Sequence, residues 1–120
     1  MVLLVDDDVY VRRGFGILFR SAGIECKSFA SAEDFLEGCN PCVGDLLILD
    51  IHMPGLSGCD LMDILSNRGY HIPLIVISAY DEPSSRECAR KFGALAFLKK
   101  PIDSEELIGY VMKSQFENTI

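Results

Sequence analysis

At 120 residues, 49% of them apolar, the chain is long enough to bury a single core and too apolar for intrinsic disorder. Its formal net charge of −7, from 18 acidic and 11 basic residues, excludes a primary nucleic-acid surface, which needs a basic footprint. The longest apolar runs, such as Leu46–Leu49 and Leu74–Ile77, are far too short to cross a membrane.

Met1 leads straight into a strand-like run with no basic leader, so no secretory signal is read and a cytoplasmic location is expected. Five short runs read as strands: Val2–Val5, Ile24–Lys27, Leu46–Leu49, Leu74–Ile77 and Leu95–Leu98. Four are almost uninterrupted apolar stretches, as parallel strands buried on both faces require. After the first strand, Val11, Phe15, Leu18 and Ala22 step by four, three and four residues and share one helical face. Ser31 with Asp34, Ser57 with Asp60, and Asp103 with Glu106 each pair a capping residue with an acid three positions on, marking three further helix starts. Pro83 suits the first turn of another helix, and Gly93 the position just past its end. Strict β-α alternation over five units predicts one α/β domain spanning residues 1–120, a doubly wound sheet with helices on both faces.

The five cysteines (Cys26, Cys39, Cys42, Cys59 and Cys88) are an odd set without framework spacing and fit reduced thiols. Cys39-Asn40-Pro41-Cys42 has the C-x-x-C form. However, it comes after a helical stretch and lies in a turn, whereas a redox pair wants its first thiol at a helix start. A structural zinc would need a second pair or nearby histidines, and His52 and His71 are too few and too far along. These are read as loop thiols.

The chemistry lies in the polar residues that end each apolar run. Asp6, Asp7 and Asp8 end the first, Asp50 the third, Ser78 the fourth, and Lys99, Lys100 and Pro101 the fifth. In an open parallel sheet these positions share the carboxyl edge, where ligands bind. An Asp-Asp pair alone is as well explained by a solvated turn or a helix cap. Beside Asp50 and Lys100 it fits a site for Mg²⁺, a hard cation held by a few carboxylates with water and phosphate oxygens. Asp8 stands where the first helix begins and can cap it. Alternation along the strand keeps Lys99 and Lys100 from both entering the crevice.

Together, LLVDDD, LLILDIHMPGLSG, LIVISA and FLKKP, in that order at the ends of alternate strands, resemble the receiver domain of two-component response regulators over the whole chain. The resemblance implies a flavodoxin-like fold with five parallel strands in the order 2-1-3-4-5 and five helices. It implies that Asp50 accepts a phosphoryl group from a histidine kinase or phosphotransfer protein. Asp6 and Asp7, with the Asp50 carboxylate and the His52 backbone carbonyl, would bind Mg²⁺, with Mn²⁺ as a substitute. Ser78 and Lys100 would contact phosphoryl oxygens, and Ala79 would leave room for the group. The Lys100–Pro101 bond would be cis.

Phe97 stands at the family's switch aromatic, often tyrosine, so a switch through a phenol hydroxyl is excluded while one through ring burial stays open. His52 and Tyr80 flank the site and are expected to be exposed. Pro54, Gly55 and Gly58 have an ordinary turn explanation. The face made by the Pro83–Phe92 helix, the last strand and the Asp103–Lys113 helix would control an output domain or partner, with homodimerisation through it as an option. SAEDFL and GALAFLKKP look most like receivers that precede LuxR-type output domains, which points to transcription. The domain would bind no nucleic acid itself and would be no enzyme beyond its own phosphoryl transfer and slow dephosphorylation. Two rivals share the residues: an aspartyl-nucleophile phosphohydrolase, for which 120 residues leave no room for a substrate cap, and a degenerate, phosphorylation-independent binding module.

Overall fold

The computed structural model describes residues 1–118. Strands and helices alternate strictly: β1 (Val2–Val5), α1 (Val9–Ser21), β2 (Cys26–Phe29), α2 (Ala32–Gly38), β3 (Leu46–Asp50), α3 (Gly58–Asn67), β4 (Leu74–Ser78), α4 (Pro83–Lys91), β5 (Ala96–Lys99) and α5 (Ser104–Asn118). All strand pairs are parallel, in the order β2-β1-β3-β4-β5, the order the resemblance implies.

Alternation divides the core in two. Leu3, Val5, Leu47, Leu49 and Val76 face Phe35, Leu61 and Leu65 on the side of α2, α3 and α4. Val2, Leu4, Leu46, Ile48, Ile75 and Ile77 face Phe19, Leu107 and Val111 on the side of α1 and α5. Central strands buried on both faces explain why their sequences are unbroken apolar runs.

Three expected helix starts carry their caps: Ser31 accepts from the Asp34 N–H, Ser57 and Asp60 form a reciprocal capping box, and Asp103 accepts from the Glu106 N–H. Pro83 opens α4, and Gly93 comes just after it at φ +65°, a left-handed conformation glycine adopts freely.

Two strands sit later than the apolar pattern predicts. β2 runs over Cys26–Phe29 rather than Ile24–Lys27, because Ile24 belongs to the turn, where its N–H donates to Phe19 O. β5 starts at Ala96, and Leu95 is 44% exposed. On α1 the deepest residue is Phe19, while Ala22 is the exposed C-cap rather than part of the buried face. Among the described residues no helix is long and apolar enough to cross a membrane.

Candidate functional site

Strand parity assembles the site. Asp6 and Asp50 lie two residues beyond Leu4 and Ile48 on the α1/α5 side of the sheet, and Lys100 lies two beyond Leu98 in the same sense. Their side chains therefore meet just past the carboxyl edge. Lys100 Nζ lies 2.9 Å from Asp6 Oδ2 and 3.4 Å from Asp50 Oδ2. Asp6 is fully buried and Asp50 is 3% exposed, so both carboxylates are held largely out of water. Asp7 is exposed at the mouth. Each of the three acids offers an oxygen within 4.8 Å of the others.

Backbone contacts fix these groups. The Asp8 N–H donates to Asp6 Oδ1 at 2.9 Å, and the His52 N–H donates to Asp50 Oδ1 at 3.1 Å. Asp8 itself caps α1, accepting from the Tyr10 N–H at 2.8 Å. Arg12 donates to the Asp6 carbonyl from the same helix. The Lys100 N–H donates to Ser78 O, and the Lys100–Pro101 peptide is cis, as the resemblance implies.

The electrostatics favour a cation. Burial, then the neighbouring Asp6 charge, pushes the Asp50 carboxyl above its ordinary value despite Lys100. Burial pulls the Lys100 ammonium down, but Asp6 and Asp50 together outweigh it and raise it overall. The partner of Asp6 Oδ2 is the Lys100 ammonium at 2.9 Å, an ion pair held out of water. Three carboxylates with oxygens within 4.8 Å of one another, two of them buried, are an all-oxygen donor set that fits a hard divalent ion.

Ser78 ends β4, one residue beyond the register partner of Asp50, and is fully buried. Its hydroxyl donates to Tyr80 O at 2.8 Å and accepts from the Tyr80 N–H at 3.1 Å, so it is turned onto its own loop. Ala79 is exposed beside it, and Lys99 points away into solvent. Phe97 has the opposite parity to Lys100 and packs, half-buried, on the α4 side. The Arg86 guanidinium covers its ring, 4.7 Å from the centroid, held there by an ion pair with Asp81.

Three residues acquire roles that sequence reasoning did not give them. Gly58 is more than a turn residue: a Cβ there would stand 2.6 Å from Asp50 O and 2.9 Å from Ile51 Cα, so its bare backbone lets α3 start against the acceptor strand. Glu33 on α2 accepts from the Leu56 N–H at 2.8 Å and steadies the β3–α3 loop. Ser85 on α4 is buried and contacts His52. His52 and Tyr80 are exposed as expected, yet their rings meet edge to face at 5.4 Å. A glycine directly before a helix-forming run is the one signal that could have singled out Gly58.

The chain is similar to known proteins over most of its length. The response regulator receiver domain family matches residues 2–112, and the chain belongs to that family. It is 39% identical over 112 residues to nodulation protein W of Bradyrhizobium diazoefficiens, covering 93% of this chain and 49% of that protein. It is 36% identical to the transcriptional regulatory protein TdiR of Thauera aromatica, covering 92% of this chain and 48% of that one. The structure of the response regulator StyR superposes with a TM-score of 0.89 at 37% identity, covering 98% of this chain and 60% of that one. The chain thus spans about half the length of the relatives it matches.

Proposed function

We propose that this receiver domain takes a phosphoryl group from a histidine kinase or phosphotransfer protein onto Asp50. The support is the convergence of Asp6, Asp7, Asp50 and Lys100 on one point at the sheet edge. Transfer forms a P–O bond to an Asp50 oxygen as the P–N bond to the donor histidine breaks, and the departing nitrogen keeps that electron pair. Mg²⁺, or Mn²⁺ in its place, would be held by the Asp6, Asp7 and Asp50 carboxylates and the His52 carbonyl and would offset charge on the transferring group. Lys100 is placed to pair with a phosphoryl oxygen, and such fixed positive charge is the main catalytic contribution in phosphoryl transfer. Ala79 is small and exposed just past the end of β4 and would leave space for the group.

The Ser78 hydroxyl reaches a phosphoryl oxygen by giving up Tyr80 O. That swap draws the β4–α4 loop inward and opens room for the Phe97 ring to turn. The face of α4, β5 and α5 then changes and controls an output domain, a partner or a second copy of the chain. A transcriptional output fits relatives such as TdiR. Such a domain works in the cytoplasm, and its chemistry is confined to its own phosphorylation and slow dephosphorylation. Incubation with Mg²⁺ and a small acyl phosphate tests the reading. A receiver gains one slowly lost adduct, an aspartyl hydrolase turns over many equivalents, and a degenerate module does neither.

A further inference from the structure

The β3–α3 loop reaches α4 through a polar side-chain contact outside the acid cluster. His52 Nε2 and Ser85 Oγ share a hydrogen bond of 3.1 Å. Ser85 is 1% exposed, and a buried hydroxyl stripped of its partner is costly. The backbone N–H of the same histidine donates to Asp50 Oδ1. One residue therefore grips the carboxylate with its main chain and α4 with its ring. The Tyr80 ring stands edge-on to the imidazole at 5.4 Å, and Glu82 Oε2 lies 3.9 Å from its Nε2.

The start of α4 has few other anchors. Its N-cap, Glu82, makes no side-chain hydrogen bond to the helix, and of the first four helical residues only Ser85 is buried. Elements with so few buried contacts are those whose opening is easily shifted.

We propose that His52 is a positioning residue that couples the state of Asp50 to the first turn of α4 through Ser85, by a route separate from Ser78 and Phe97. The coupling rests on Asp50 being the phosphoacceptor. Converting its carboxylate to an acyl phosphate leaves a neutral carbonyl oxygen, a weaker acceptor for the His52 N–H than the charged group. The loop relaxes, the ring shifts, and Ser85 loses its partner.

Amide exchange across residues 84 to 88 of the whole 120-residue chain tests this. In unlabelled protein, His52→Ala and Ser85→Ala should each speed exchange there about tenfold, the double variant no more than either single one, with β1 and β3 unchanged. With acyl phosphate and Mg²⁺, Ser85→Ala should take up label as the wild type does, yet the response of residues 84 to 88 should shrink to the part carried by Ser78 and Phe97. Unlabelled variants that exchange like the wild type, or a labelled Ser85→Ala with a full response, would overturn the coupling. A wild type that takes no label would defeat the phosphoacceptor assignment, while the unlabelled comparison still decides the His52–Ser85 link.

Discussion

Asp6, Asp7 and Asp8 are neighbours in sequence but do different things because their side chains leave the strand end in different directions. Asp6 is sealed against Lys100, Asp7 faces solvent at the mouth, and Asp8 turns back to cap α1. Asp7→Asn should therefore weaken Mg²⁺ binding, read by titration, while leaving the fold intact. In the wild type, Mg²⁺ at a hundredfold its dissociation constant should stabilise the fold by about 2.7 kcal/mol, and the gain should vanish with chelator. Equal Mg²⁺ titrations for both proteins would remove Asp7 from the ligand set. Gly58 makes a second residue-scale test. Gly58→Ala forces a Cβ into Asp50 O and should cost about 1–3 kcal/mol in denaturant unfolding. Gly109→Ala in α5 meets nothing within 4 Å and should gain roughly 0.5–1 kcal/mol. Asp6, Asp7, Asp50 and Lys100 are legible in the sequence because strand-end positions share one edge. Gly58, Glu33 and Ser85 are not, because their roles depend on packing between elements distant in the chain.

Among the elements, those with one dominant physical signal are the readable ones. β1 matches its apolar run, and β3 and β4 start with theirs and run one residue further, to Asp50 and Ser78, as strands covered on both faces. β2 is an edge strand with two exposed central residues, Lys27 and Ser28, and its pattern gives no clear bounds. β5 is the other edge and slips by one residue for the same reason. α4 buries Ser85 along with Cys88 and Ala89, while Phe92 at its end is only half-buried. The Asp81–Arg86 pair at the start of α4 ties the loop to the lid over Phe97. Hydrogen bonding to Arg86 holds the Asp81 carboxyl below its ordinary value, so the pair stabilises the fold above the usual aspartate range. That contribution is lost as pH falls from the ordinary 3.8 through the lower folded value. Asp81→Asn should melt slightly below the wild type at pH 7, the gap closing below pH 3.8 and shrinking in high salt. A gap that persists in acid would show that packing, not charge, holds Arg86 over the ring.

For the whole molecule, alternation of strand and helix specifies a doubly wound parallel sheet and the edge at which the site forms, while the order β2-β1-β3-β4-β5 is the one the family resemblance implies. Alternation does not specify how the site communicates. Ser78 is bonded within its own loop to Tyr80, while Arg86 over Phe97 and His52 on Ser85 reach between α4 and its neighbours, and no periodicity encodes any of them. Intact mass measured after incubation with Mg²⁺ and acyl phosphate tests the central claim most directly. The wild type should gain the mass of one phosphoryl group, lost on standing, while Asp50→Asn folds normally and gains none. Full labelling of Asp50→Asn, or a wild type that never gains mass, would contradict the assignment.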